Sequence, residues 1–318
     1  MSVRIGVVGA GYVAGRHVDS LTGLDGVVVA GVADPRTERA EVLAARSGAR
    51  AYPDWQRLLD GEDLDALYVC VPPFAHGAVE DAAIDRGLPL FVEKPLARDL
   101  ATAQRLAARI DGAGLLAAAG YHWRYLDTFE HARGLLSAAP ARMVLGAWLD
   151  KAPRVDWWAR SDGSGGQTVE QATHLFDVAR VLVGEVVSGW AVGSRSPDGP
   201  GDILDVCTAA VRFATGAVGS FSSTCLLPRG LRIGIELAAP GLGLWLTERE
   251  LVVSDRDGER TMTAQVDPFA VEDRAFTAAV DGAGDDVRCT YAEALRTHRL
   301  VTAVAAAAAR GGGPVELA

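Results

Sequence analysis

Several things are scarce in this 318-residue chain, and each shortage excludes something. Cysteine appears four times, at Cys70, Cys207, Cys225 and Cys289, scattered and without a CxxC pair. That spacing offers neither a zinc site nor a disulfide framework, so four small buried hydrophobes in a reducing compartment are expected. Basic charge is also short. Lysine and arginine total 31 against 41 acidic residues, giving a net charge of −10 and a pI near 5.1, with no local cluster of cations. Phosphate backbones and anionic membranes need concentrated Lys and Arg, so neither nucleic acid nor a membrane surface is an expected partner. No apolar run reaches the ~18 residues of a membrane span; Ala303–Ala309 comes nearest. Met1-Ser2-Val3-Arg4 leads directly into an apolar strand, without the layout of a secretory leader. A soluble cytoplasmic protein is the expectation. Disorder is excluded for the bulk of the chain, since 49% of residues are hydrophobic and 23% charged.

What is present has an order. At roughly 150 residues per domain the length allows about two domains. Apolar strands at Val3–Val8, Val27–Ala33, Ala66–Val71, Leu88–Val92 and Leu115–Ala119 alternate with helical stretches at Tyr12–Leu24, Arg36–Arg46, His76–Arg86 and Leu100–Ile110. That alternation predicts a doubly wound parallel sheet with helices on both faces. After Tyr121 the pattern changes. A helix at Asp127–Ser137 precedes strands at Arg142–Leu149, Val186–Val192, Leu204–Phe213, Ala217–Cys225, Leu231–Ala238, Gly243–Thr247 and Leu251–Ser254. Ala214-Thr215-Gly216-Ala217 reads as a hairpin turn. Further helices are expected at Gln167–Val183, Pro268–Asp281 and Tyr291–Arg310, the last ended by Gly311–Gly313. The fold class is α/β: a Rossmann domain over 1–120, then an α+β domain over 121–318 with a large, mainly antiparallel open sheet.

Gly9-Ala10-Gly11-Tyr12-Val13-Ala14 follows the first strand and opens the first helix. The first glycine allows the tight turn, the second lets backbone approach a pyrophosphate, and Ala14 lets helix and strand pack closely. Amides at the helix N-terminus point at the anion. Asp34, twenty residues past Ala14 at the end of the second strand, stands where a carboxylate binds ribose hydroxyls. A carboxylate there repels a 2′-phosphate, which favours NAD. Arg36 and Arg39 leave NADP as the alternative.

Two further strands end on the same side of the sheet, at Val71-Pro72-Pro73 with His76 soon after, and at Glu93-Lys94-Pro95. Ligands of open α/β sheets sit beyond such carboxyl ends. Lys94-Pro95 is a candidate cis bond. Downstream, Gly165-Gly166 precedes Glu170, His174 and Asp177, spaced i, i+4 and i+7, a polar stripe on one face of an otherwise apolar expected helix.

Taken in order, Gly9-Ala10-Gly11 with Asp34, Val71-Pro72-Pro73-Phe74-Ala75-His76, Glu93-Lys94-Pro95, and Gly165-Gly166 with Glu170, His174 and Asp177 resemble the glucose–fructose oxidoreductase / inositol 2-dehydrogenase (Gfo/Idh/MocA) family. The resemblance covers most of the chain, and the Glu-Lys-Pro turn carries most weight. It implies an NAD(P)-dependent oxidoreductase moving a hydride between nicotinamide and a secondary alcohol or ketone of a sugar, cyclitol or nucleotide-sugar. Lys94 matches the lysine that projects toward the nicotinamide and the reacting hydroxyl, where an ammonium polarises a carbonyl or stabilises an alkoxide. His174 matches the general acid/base. Glu93 either accepts a hydrogen bond or caps the following turn. Many members carry Asp four residues before the histidine; Glu170 instead moves its carboxylate by about 1.5 Å. Asp177 either orients the His174 ring or makes a structural salt bridge.

Tyr12, Val13, Pro72 and His76 complete the expected cofactor contacts. Arg124 lines the cleft or packs internally, and Trp157 walls a sugar ring or packs with Trp158. No metal is expected. A homodimer or homotetramer through the second sheet is implied by resemblance alone. Two other functions share these motifs. A glycosidase or eliminating enzyme with transient oxidation would recycle its cofactor, and a non-catalytic NAD-sensing regulator would not need both Lys94 and His174.

Overall fold

The computed structural model describes residues 2–317. The first eleven elements alternate between strand and helix: β1 (Val3–Val8), α1 (Tyr12–Thr22), β2 (Val27–Ala33), α2 (Thr37–Ala45), β3 (Arg50–Tyr52), α3 (Trp55–Gly61), β4 (Ala66–Val69), α4 (Ala78–Asp85), β5 (Leu90–Val92), α5 (Leu100–Ala113) and β6 (Ala117–Ala119). The strands form one sheet in the order β3-β2-β1-β4-β5-β6, parallel throughout. Ile5 and Val7 of β1, Val29 and Val32 of β2, and Tyr68 of β4 are buried together with Ala14, Val18 and Leu21 of α1. Burial on both faces is what the near-continuous apolar strands require. Strand order reverses between β1 and β4, so their carboxyl tips form the switch point where doubly wound sheets bind ligands.

The sequence reading missed β3 and α3. Three and seven residues are too short for a periodic signal, although Asp54, whose side chain accepts the Arg57 N–H at 2.8 Å, is an ordinary N-cap for α3. The helix expected from His76 begins at Ala78, because Pro73–Ala75 form a 3₁₀ turn first.

The chain continues with α6 (Asp127–Ala138), β7 (Met143–Leu149), α7 (Gln167–Glu170), α8 (Thr173–Val183), β8 (Val186–Ser194), β9 (Val206–Phe213), β10 (Val218–Thr224), β11 (Arg232–Ala239), β12 (Leu242–Leu246), β13 (Glu250–Asp255), β14 (Gly258–Thr263), α9 (Pro268–Val280), α10 (Tyr291–Ala309) and β15 (Gly313–Pro314). Nine strands form a second sheet, β14-β13-β12-β11-β7-β10-β9-β8-β15, in which only β7 and β10 run parallel. The expected hairpin joins β9 to β10, with Gly216 at a φ of 84°. Cys207, Ala209, Val211 and Phe213 of β9 point inward, and Phe221 of β10 stacks on Phe176 of α8 with ring centres 4.2 Å apart. Met143 and Leu145 of β7, Trp190 and Val192 of β8, and Val218 of β10 are exposed on the other face. All six residues of β14 are exposed, so it carries no hydrophobic alternation to reveal it in the sequence.

By contact the chain forms two compact units. One runs to Ala97 and adds Ala101–Tyr125 and Asp267–Leu295; the other holds Arg98–Leu100, Leu126–Val266 and the chain from Arg296 onward. The expected division at residue 120 is a single cut along the chain, whereas these units interleave. In particular α9 belongs with the parallel sheet, where Phe276 joins the core beside Tyr68 and Phe91. Among the described residues, no helix is long and apolar enough to cross a membrane.

Candidate functional site

The turn after β1 is built for close backbone approach. Gly9 has a φ of 98°, and a Cβ there would lie 2.3 Å from the Cys70 carbonyl oxygen at the tip of β4. Only glycine satisfies both the conformation and the space. At Gly11 the opposite holds: a Cβ would meet nothing within 4 Å, so this position opens onto unfilled space. Gly11 is the N-cap of α1 and no side chain caps that helix end. Tyr12 is largely exposed, Val13 half-buried and Ala14 buried against the sheet. An open cradle rimmed by uncapped helix amides fits a pyrophosphate. Asp34, half-buried, accepts the Ala10 N–H through Oδ2 at 2.9 Å and the Arg36 N–H through Oδ1 at 2.8 Å. Each carboxylate oxygen keeps a lone pair for a further donor, so the residue present fits a ribose diol. Arg36 and Arg39 are exposed.

At the tips of β4 and β5, Pro72 is half-buried and His76 nearly buried. The His76 Nδ1 sits 2.5 Å from Oε1 of Glu80, whose other oxygen accepts the Gly77 N–H at 2.7 Å. His76 is thus fastened to the start of α4, with Nε2 buried and meeting no hydrogen-bond partner among the described residues. Lys94 is half-buried, and its bond to Pro95 is cis, as the strand-tip position suggested. Glu93 points inward and is buried. Its Oε2 accepts the Lys94 N–H at 2.9 Å and its Oε1 lies 3.0 Å from His17 Nε2. Both alternatives left open for Glu93 are therefore realised, since it accepts hydrogen bonds and caps the turn.

Behind this turn lies a polar cluster that sequence reasoning missed. His17 of α1, fully buried, has Nδ1 2.7 Å from Oδ1 of Asp273 in α9. Its ring is walled by Tyr68, Phe91 and Phe269 at centroid distances of 5.3, 4.9 and 5.3 Å. Burial alone would favour neutral imidazole, but Asp273 and then Glu93 outweigh it and raise the His17 pKa well above its usual value. Burial pushes Glu93 upward too, yet the His17 hydrogen bond and charge, followed by Lys94 and His122, leave its carboxyl below the usual range. Glu272, fully buried with neither carboxyl oxygen hydrogen-bonded among the described residues, is driven well above that range by burial; His17 opposes this, and Glu93 and Asp273 add to it. The ligand atoms of His17, Glu93 and Glu272 lie within 4.8 Å of one another, a spacing metal sites share. Both ring nitrogens of His17 already face carboxylate oxygens, Asp273 Oδ1 at 2.7 Å and Glu93 Oε1 at 3.0 Å. The available signal for the cluster was a histidine on the buried face of α1, at a position expected only to pack.

In the second unit the expected helix 167–183 is two helices. Gln171 accepts from His174 and ends α7, and Thr173 begins α8, so Glu170 does not share a continuous helical face with His174 and Asp177. No glycine or proline marks the break. Every residue of 167–170 and 172–180 is buried, so packing rather than local propensity decides it. His174 stacks on Trp148 of β7, with ring centres 5.9 Å apart. Asp177 accepts the Thr297 hydroxyl at 2.7 Å, and Arg180 donates to the same hydroxyl at 2.7 Å and to Glu185 at 2.6 and 3.0 Å. This ties α8 to α10 and supports the structural role for Asp177. Trp158 is core, packed with Ile203 and Cys225, while Trp157 remains half-buried beside them. Arg124, in the first unit, is buried and donates to the Arg288 carbonyl at 2.9 Å, with Glu293 3.9 Å away, which matches the internal-packing alternative.

Comparison with known proteins follows these features. A family model described as an oxidoreductase family with an NAD-binding Rossmann fold matches residues 3–121, and the corresponding C-terminal domain model matches residues 141–238. Myo-inositol 2-dehydrogenase of Thermotoga maritima is 26% identical over 81% of this chain and 80% of its own. The scyllo-inositol 2-dehydrogenase (NAD⁺) of Bacillus subtilis is 26% identical over 74% and 71%. A solved levoglucosan dehydrogenase, in complex with NADH and levoglucosan, superposes with a TM-score of 0.89 at 22% identity, covering 99% of this chain and 100% of that one.

Proposed function

The chain belongs to the Gfo/Idh/MocA oxidoreductase family, and on that premise we propose that it is an NAD-dependent dehydrogenase acting on a CH–OH group of a sugar, cyclitol or nucleotide-sugar. The observation that carries this reading is the Glu93-Lys94-Pro95 turn, held at the tip of β5 by Glu93 on the ligand side of a Rossmann sheet. Relatives named as inositol 2-dehydrogenases and a levoglucosan dehydrogenase support the substrate class.

Gly9, Gly11 and the first amides of α1 would hold the pyrophosphate, and Asp34 the adenosine ribose, with Tyr12, Val13, Pro72 and His76 as neighbouring contacts. Bound nicotinamide supplies a site that accepts or donates hydride. Lys94 contributes an ammonium where oxygen charge develops during carbinol–carbonyl interconversion. His174 exchanges a proton with the substrate hydroxyl, and Glu170 binds neighbouring hydroxyls. Asp34 disfavours a 2′-phosphate, so NAD is preferred over NADP. The exposed apolar face of the nine-stranded sheet supports assembly into a homodimer or homotetramer.

A panel of cyclitols, aldoses and nucleotide-sugars, assayed with NAD and NADP in parallel through the absorbance of reduced cofactor, tests the reading. Sustained NADH production from at least one cyclitol or sugar is expected. NAD binding without net turnover on any of them would overturn it.

A further inference from the structure

We infer that His17 is a positioning residue for Lys94: clamped between Asp273 and Glu93, its ring holds the Glu93 carboxylate where that carboxylate accepts the Lys94 backbone N–H and so sets how the lysine leaves the strand tip. The inference rests on the role proposed for Lys94 and deepens it.

The contacts form one chain. Asp273 Oδ1 is 2.7 Å from His17 Nδ1, His17 Nε2 is 3.0 Å from Glu93 Oε1, and Glu93 Oε2 accepts the Lys94 N–H at 2.9 Å. Neutral imidazole has a single N–H, so it cannot donate to carboxylates at both nitrogens; the doubly protonated ring can. A buried carboxylate without such a donor would take up a proton, which replaces one of its acceptor sites with a donor. The Lys94 amide would then compete for what remains. Three aromatic rings hold His17 in one orientation, and Gly120 leaves the room the Glu93 carboxylate occupies, since a Cβ there would lie 2.3 Å from Oε1. The ionisable groups facing His17 are Asp273 and Glu272 from α9, Glu93 from the β5 turn and Tyr68 from β4; Lys94, and Cys70 just past β4, act on the same carboxylates. His122 stacks on Phe269 with ring centres 4.6 Å apart. Burial pushes Glu272 well above the usual carboxyl range, and the carboxylates within hydrogen-bond distance of the ring are those of Asp273 and Glu93.

The chain contains two lysines, Lys94 and Lys151, which makes a direct readout practical. Reductive ¹³C-methylation of the intact protein labels both with the α-amine, and Lys151→Arg assigns the spectrum. With His17→Gln the Lys94 methyl resonance is expected to move and broaden while the Lys151 resonance stays in place. A folded His17→Gln protein with an unchanged Lys94 resonance would overturn the inference. Should that variant not fold, Asp273→Asn keeps the His17–Glu93 contact while removing the stronger partner. The His17 ring nitrogens, followed by ¹⁵N NMR, should then titrate at lower pH than in the native protein, with Lys94 showing the same inflection. No shared inflection, or a tightly bound metal in the purified native protein, also overturns it. If Lys94→Ala retained full turnover, the catalytic role of Lys94 would fail while these spectra would still report on positioning.

Discussion

The carboxylate of Asp34, at the end of β2, accepts the backbone N–H of Ala10, which lies between the two glycines of the turn after β1, at 2.9 Å. One side chain thus fixes the turn and presents its remaining lone pairs outward. In Asp34→Asn the charge is lost, and one of the two backbone N–H groups at Ala10 and Arg36 faces an amide NH₂. NAD affinity is expected to fall about tenfold or more, in line with roughly 1.5–3 kcal/mol for a hydrogen bond to a charged group, and the preference for NAD over NADP should narrow. Fluorescence titration with both dinucleotides measures this; an unchanged Kd for NAD would remove Asp34 from the cofactor site.

Lys94→Ala and His174→Ala should each lower turnover by ~10²-fold or more, with NAD binding largely retained. Steady-state rates on the substrate identified by the panel, beside NAD titration of the same proteins, make the comparison. Near-normal turnover in both variants refutes the assigned roles.

Gly120 follows β6 and has no room for a side chain: an added Cβ would approach the Glu93 carboxylate at 2.3–2.9 Å. Because Glu93 is held by His17 and the Lys94 amide, it cannot swing aside cheaply. Gly120→Ala is expected to destabilise the protein by about 1–3 kcal/mol, the usual range for overpacking. Chemical denaturation reads this, and a loss below about 0.5 kcal/mol would mean that the turn relaxes freely.

The His17 pKa is raised in the folded protein, so the stability it contributes is fully present below the unfolded value of 6.5 and is lost as pH rises through the folded value. In that window the folded state holds one more proton than the unfolded chain, a slope of about 1.4 kcal/mol per pH unit. Between about pH 7 and 9 the native protein should therefore lose stability more steeply than His17→Gln. Denaturation midpoints across that range test it, and parallel curves would show that His17 is not held protonated.

Local signals carried most of the fold. The first sheet was legible in five of its six strands, which are mainly apolar and flanked by helices with a period of their own; β3, Arg50–Tyr52, is too short and polar to show. The second was legible wherever one face is buried, as in β9, and not in β14, whose residues are all exposed. Gly9, Gly11 and Asp34 were recognisable because backbone geometry or chemistry restricts those positions to few residue types, and Glu93-Lys94-Pro95 through the family resemblance.

The sequence alone therefore determined the parallel α/β half, the glycine turn with its carboxylate, and the lysine at a strand tip, all set by neighbours within a few turns or strands. Only the tertiary structure decided that α7 and α8 are separate, that Asp177 is secured to Thr297, and that α9 packs with the parallel sheet to bring Asp273 onto His17. The physical reason is range. Hydrophobic periodicity reports which way a side chain faces, while a buried charge is settled by whatever partner the packed core delivers, here one 256 residues further along the chain.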